Sequence, residues 1–220
     1  MLDVPHVRLR FRDAAAPCIS KFVLSHPGAA FDPFRMDTVL TSPGRRIRIL
    51  GIDPGSRVTG YGLVDKEGDR IGFVACGVIR TSPRLDFAAR LREIHDGLCE
   101  VIGGQRPDWA AVEEVFMARN PMSALKLGHA RGVAMLAAVR LGLPVREYSA
   151  RAVKQAVTGY GGAAKEQVQQ MVRVLLRLSA SPSQDAADAL AVALCHANHC
   201  NPAASAPSRS SSSRPRLPSP

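Results

Sequence analysis

Four carboxylates that lie far apart in the chain, Asp53, Glu113, Asp185 and Asp188, have the residue type and the settings of a divalent-metal site. Asp53 ends the apolar run Ile47-Arg48-Ile49-Leu50-Gly51-Ile52, and Glu113 follows Trp109-Ala110-Ala111-Val112. A charge at the end of such a run is costly to bury unless water or a cation solvates it. Asp185 and Asp188 open an alanine-rich stretch at a spacing of three, which puts both on one face of a helix. Clustered carboxylate oxygens repel one another when alone and suit Mg²⁺, or Mn²⁺ in its place, whereas imidazole or thiolate ligands would point to zinc.

Each acid taken singly also fits a plain structural role. Asp185 follows Ser181-Pro182 and would complement a helix dipole, and Asp53 before Pro54-Gly55 would open a turn. Asp188 fits such a role least, because it stands against Ala189-Leu190-Ala191-Val192-Ala193-Leu194. Glu113 and Glu114 are neighbours on a strand, so their side chains face opposite sides and only one can enter a shared site. Spacing alone leaves open which one does.

The elements that must bring these acids together follow from the apolar pattern. Strands are predicted over 47–53, 59–65 and 71–80, joined by turns rich in Gly, Pro and Asp that are short enough to make them antiparallel neighbours. Phe87, Leu91, Ile94, Leu98 and Val101 keep helical spacing within 83–102, and a strand returns over 109–115. The crossover makes that strand parallel to the first, with Asp53 and Glu113 on adjacent strands. Asn120-Pro121 caps a helix reaching about residue 141. Its apolar residues wrap most of the circumference, so burial on two sides is expected, one covering the sheet and the other meeting a second subunit; complete burial inside the monomer is the competing arrangement. A strand over 144–148, a short helix over 149–157, a flexible break at Gly161-Gly162 and helices over 163–178 and 183–199 complete a mixed five-stranded α/β sheet flanked by helices.

With 220 residues and 46% hydrophobic content, the chain suits one domain, expected over 46–200, between an extension at 1–45 and a disordered Ser/Pro/Arg-rich tail at 201–220. The extension is read as disordered, or as the product of a start site placed ahead of Met36. A formal charge of +10 favours a polyanionic partner. From Arg119 to Lys165 the bases Arg119, Lys126, Arg131, Arg140, Arg146, Arg151, Lys154 and Lys165 face one acid, Glu147. So one-sided a run favours contact with nucleic-acid phosphates. Five cysteines without a CxxC pair fit a reducing, cytoplasmic setting, and no stretch approaches the ~18 apolar residues that a membrane span requires. Cys195-His196-Ala197-Asn198-His199-Cys200 is read as a helix end rather than a zinc cluster, since zinc ligands come from separated knuckles.

Several segments together resemble the bacterial RuvC family of Holliday-junction resolvases. They are Gly51-Ile52-Asp53-Pro54-Gly55-Ser56-Arg57-Val58-Thr59-Gly60-Tyr61-Gly62, Glu113 to Asn120, Ser123 to Gly128, Val153-Lys154-Gln155 and Asp185 to Ala191. The likeness runs in order from about Arg46 to His196. It implies an RNase H-like fold, a homodimer, a four-way DNA junction as substrate, a branch-migration helicase complex as partner, and a Mg²⁺-dependent carboxylate tetrad. Carried over by motif, the tetrad is Asp53, Glu113, Asp185 and Asp188, which selects Glu113 over Glu114. Two bases needed for activity match Lys154 and Lys165, and an aromatic that contacts junction bases matches Phe116.

The expected chemistry is hydrolysis of a phosphodiester with two ions per site, roughly 3.5–4 Å apart and bridged by Asp53. Lys154 and Lys165 would neutralise charge on the phosphate, and Phe116, Arg119, Lys126, Arg131, Arg151, Lys154 and Lys165 would hold DNA. The Asp-Pro-Gly turn also resembles a phosphate loop of actin-like ATPases, which need a much longer duplicated chain, and a P-loop Lys-Ser/Thr is missing. A catalytically silent junction-binding protein is the alternative from another class.

Overall fold

The computed structural model describes residues 46–114 and 121–200. The expectations for 1–45 and 201–220, for Val115 as a strand end, for Asn120 as a cap, and for Phe116 and Arg119 lie outside the described residues.

Strands β1 (Ile47–Asp53), β2 (Val58–Glu67), β3 (Arg70–Arg80), β4 (Trp109–Glu113) and β5 (Val145–Tyr148) form one sheet in the order β3-β2-β1-β4-β5. The pairs β1/β2 and β2/β3 are antiparallel, and β1/β4 and β4/β5 are parallel. The expected mixed sheet is thus the one observed. Both antiparallel connections are tight: Gly68, at φ 57°, supplies the left-handed residue of the two-residue link between β2 and β3. β1 lies at the centre and is buried almost throughout, as a strand covered on both faces must be.

Helices α1 (Phe87–Gln105) and α2 (Pro121–Arg140) cover one face; α3 (Ala150–Thr158), α4 (Lys165–Leu175) and α5 (Gln184–His199) cover the other. α1 starts at the first residue of its apolar stripe rather than at the expected position 83, because Asp86 caps it, its carboxylate accepting from the Ala89 N–H at 2.7 Å. It ends where Arg106 turns left-handed. α4 is shorter than expected at both ends. The Gln167 side chain accepts from the Ala164 N–H at 2.9 Å, fixing the start, and Arg177 at φ 51° cannot continue a helix.

Alternation sorts the side chains of β1 and β4. Leu50, Ile52, Ala110 and Val112 pack toward α1 and α2, while Ile49 and Ala111 pack toward α5. Asp53 shares the parity of Ile49, and Glu113 that of Ala111, so both acids leave the sheet on the α5 face. α5 is buried along most of its length, with Leu190 and Val192 wholly inside. Each such side chain contributes roughly 1.5–3 kcal/mol of burial free energy.

Of the two arrangements expected for α2, complete burial within the monomer is the one the structure rules out. Ala130, Ala134, Ala137 and Ala138 face α1 and the sheet, whereas Met122, Leu125, Leu136 and Val139 are more than half exposed. Apolar composition counted the residues correctly, but only one face has a neighbour within the chain.

Candidate active site

The sheet places Asp53 and Glu113 side by side, because Gly51 pairs with Ala111 and Ile52 with Val112 in the parallel β1/β4 register. The helix acids arrive by close packing. Gly60 is the antiparallel partner of Asp53, and the backbone of Asp185 lies over it: a Cβ there would stand 2.6 Å from the Asp185 carbonyl carbon. Gly51 gives the same clearance further along, where an added Cβ would stand 2.6 Å from the Ala193 nitrogen. These glycines let α5 settle onto β1 and β2, bringing its first turn beside Asp53.

Asp53, Glu113, Asp188, Lys154 and Lys165 line one cleft of about 280 Å³, together with Pro54, Glu114 and an apolar wall that includes Val153 and Val168. Asp185 does not border the cleft but acts electrostatically on both Asp53 and Asp188. Burial lifts the Asp53 carboxyl to about 7; Glu113, Asp188 and Asp185 add to the rise and Lys165 opposes it. Burial likewise raises Glu113, with Asp188 adding to the shift and Lys165 and Lys154 opposing it. Asp188 is raised by burial and by Asp185, against the pull of Lys165, whose Nζ stands 3.9 Å from its Oδ2. The set therefore carries more negative charge than its two lysines balance, and a divalent cation relieves that imbalance.

An all-carboxylate oxygen donor set fits Mg²⁺ or Mn²⁺. Among the described residues, no group of three His, Cys, Asp or Glu side chains is drawn together tightly enough to hold a metal ion as it stands. At the far end of α5 the His196 ring is already engaged: Nδ1 shares a hydrogen bond with the Tyr148 hydroxyl at 2.7 Å, and Nε2 lies 3.0 Å from the Cys200 sulfur. Burial pushes His196 down to about 4, so it is a neutral internal link near neutral pH.

The expectation that alternation would admit only one of Glu113 and Glu114 to the site is corrected, since both line the cleft. β4 ends at Glu113, so alternation no longer governs the next residue, and Glu114 borders the cleft at its exposed rim. Of the expected DNA contacts, Lys154 and Lys165 share the cleft and the other described ones lie apart from it. Lys126 is exposed on α2, Arg151 is exposed on α3 with its aliphatic stem against Gly161, and Arg131 turns inward. The Arg131 guanidinium forms an ion pair with Glu147 and donates from Nε to the Glu113 carbonyl at 3.2 Å. Sequence reasoning missed Gly60, although its place opposite Asp53 in the first hairpin was available as a signal.

Comparison with known proteins now adds to this geometry. The family model described as "Crossover junction endodeoxyribonuclease RuvC" matches residues 49–196. The chain is 60% identical over 152 residues to the protein of that name from Geobacter metallireducens, covering 69% of this chain and 93% of that protein. It is 61% identical over 154 residues to the one from Syntrophotalea carbinolica, covering 70% and 95%. Among solved structures it is similar to T. thermophilus RuvC in complex with a Holliday junction substrate, with a TM-score of 0.66, 41% identity and coverage of 70% of this chain and 94% of that one. The yeast mitochondrial resolvase Ydc2, at 12% identity and a TM-score of 0.51 over 72% of this chain and 82% of that one, shares the fold. With its mixed sheet and its acids gathered at the β1/β4 ends, this chain belongs to the RuvC crossover junction endodeoxyribonuclease family.

Proposed function

We propose that this protein is a structure-specific endodeoxyribonuclease that resolves four-way DNA junctions by divalent-metal-dependent hydrolysis, nicking opposite strands symmetrically in recombination and repair. The observation that carries the reading is the shared cleft of Asp53, Glu113 and Asp188, raised carboxyls on two adjacent strands and a helix, with Lys154 and Lys165 beside them. Asp53, Glu113, Asp185 and Asp188 would hold the divalent metal, two Mg²⁺ ions in this reading. Bound there, the metal supplies Lewis acidity that activates water and stabilises the leaving 3′-oxygen. Lys154 and Lys165 pair with the non-bridging phosphate oxygens and align the scissile bond. The apolar wall behind them limits water to the reacting side.

Lys154 projects from α3 into the cleft rather than over an open surface, so its charge acts at the reacting phosphate. Lys154→Ala is expected to slow cleavage by roughly 10²-fold while leaving junction affinity within about threefold. A gel-shift titration beside single-turnover cleavage separates the two, and a loss confined to binding would count against this role. Phe116 is assigned to stacking on an unpaired junction base, worth roughly 1–3 kcal/mol. Arg119, Lys126 and Arg151 are assigned to phosphates of the arms.

Two-fold pairing of the chain would present two clefts to a junction that is itself nearly two-fold symmetric. The exposed stripe of Met122, Leu125, Leu136 and Val139 on α2 supports this, and Gly128 and Gly132 on the same helix leave room for a second backbone. Leu136→Glu is expected to weaken self-association by on the order of tenfold or more and to uncouple the two nicks. Sedimentation velocity reads the first effect; an unchanged dimer would move the subunit interface elsewhere. A branch-migration helicase complex is the partner that the family resemblance implies, and the free thiols of Cys76, Cys99, Cys195 and Cys200 suit a cytoplasmic setting. The direct test of the function is to offer the protein a synthetic four-way junction and a linear duplex of the same sequence. Preferential cutting of the junction supports it, and equal cutting of both would overturn it.

A further inference from the structure

We infer that Arg131, held by Glu147, is a positioning residue for Glu113 rather than part of the DNA grip. This rests on the nuclease reading above. The peptide unit between Glu113 and Glu114 is where β4 ends and the acid must be presented to the cleft. That one unit is pinned from both sides. Its carbonyl accepts from Arg131 Nε at 3.2 Å, and its N–H donates to the Tyr148 carbonyl at 2.8 Å. The first bond comes from α2 and the second from β5, so the strand end is fixed between two elements that are remote in sequence.

Nη2 of the guanidinium is paired with the Glu147 carboxylate on β5. Arg131 is only about one-fifth exposed, and its one formal charge is already paired. A planar fork with donors on two edges can serve a carbonyl and a carboxylate at once, whereas a lysine offers one point charge and cannot span both. The same engagement removes Arg131 from phosphate contact, since meeting a phosphate would require breaking a paired, half-buried bond. Losing the fork frees the Glu113–Glu114 peptide to rotate. Two consecutive acids then compete for the cleft, where Glu114 already stands at the rim.

Three variants test this against wild type: Arg131→Lys, Arg131→Ala and Glu147→Gln. Arg131→Lys is expected to lower kcat roughly 10- to 100-fold, the usual cost of losing a partner that orients a metal ligand, with KM for the junction within about twofold. In the absence of DNA, Mn²⁺ affinity measured by calorimetry should fall about tenfold. In EDTA, the dependence of junction binding on salt should keep its wild-type slope. Glu147→Gln should give the same pattern in smaller size, and it serves if Arg131→Ala fails to fold. A lysine variant that cleaves and binds Mn²⁺ like wild type would overturn the inference. So would a salt slope reduced by about 1 in either arginine variant, the mark of a lost phosphate contact. Should wild type itself fail to cut junctions, the nuclease reading fails, and Mn²⁺ affinity with the salt slope still decides the role of Arg131.

Discussion

Asp53→Asn is expected to reduce phosphodiester cleavage by roughly 10³-fold or more while leaving junction binding intact. Asp53 is the acid on which the others act: burial raises its carboxyl, Glu113, Asp188 and Asp185 add to the rise, and Lys165 alone opposes them. Removing it takes away several kcal/mol of metal-borne stabilisation, at about 1.4 kcal/mol per tenfold in rate. The amide is nearly isosteric, so the strand ends and the lysines proposed to meet DNA stay in place.

The same substitution has a second signature, in stability. The folded Asp53 carboxyl titrates at about 7 against an ordinary 3.8. Between those values the folded state keeps a proton that the unfolded chain has released, so stability falls as pH rises through this window. Above about pH 7 the full penalty is present, with a ceiling on the order of 4 kcal/mol. Asparagine carries no charge and escapes it. In metal-free buffer Asp53→Asn should therefore melt at a higher temperature than wild type at pH 8, with the difference closing near pH 4. Cleavage at the wild-type rate, or melting curves that differ equally at both pH values, would remove Asp53 from the centre of the site.

Gly60→Ala should cost stability and activity together, far out of proportion to one methyl group. The new Cβ would stand 2.6 Å from the Asp185 carbonyl carbon, and what it meets is backbone, which cannot swing aside as a side chain can. α5 must lift from the sheet. Overpacking of this kind costs about 3 kcal/mol, a fall in Tm of roughly 6–12 °C for a domain of this size. Displacing Asp185 and Asp188 by about 1 Å would lower cleavage by about 10²-fold. Gly72→Ala on β3 is the control, because an added Cβ there meets nothing within 4 Å. Thermal melts and junction cleavage measured on both variants check the account; equal behaviour of the two would mean that α5 is not seated through Gly60.

Much of this arrangement is legible in the sequence because the decisive signals are local. Short Gly/Pro/Asp turns enforce the antiparallel β1-β2-β3 meander, and a helix between two apolar runs enforces the parallel β1/β4 pair that sets Asp53 beside Glu113. What stays hidden depends on partners distant in the chain. Arg131 reads as one more cation in a basic run, and nothing adjacent shows that Glu147 and the Glu113 carbonyl will claim it. The resemblance picks Glu113 over Glu114, but the physical reason shows only once Ala111 is seen to face α5 and β4 to stop at Glu113. α2 illustrates the same point, since apolar residues all round a helix say that two faces want cover but not whether the same chain supplies it.

Strand-resolved mapping of incisions shows whether these acids hold a metal and cut DNA at a four-way junction. Each of the four strands of a synthetic junction would be end-labelled in turn and incubated with the protein in Mg²⁺ or in EDTA. Paired nicks at matching positions in two opposite strands are expected with Mg²⁺, and binding without incision in EDTA. Cutting that persists in EDTA, or tight binding with no incision in either buffer, would contradict the proposed function.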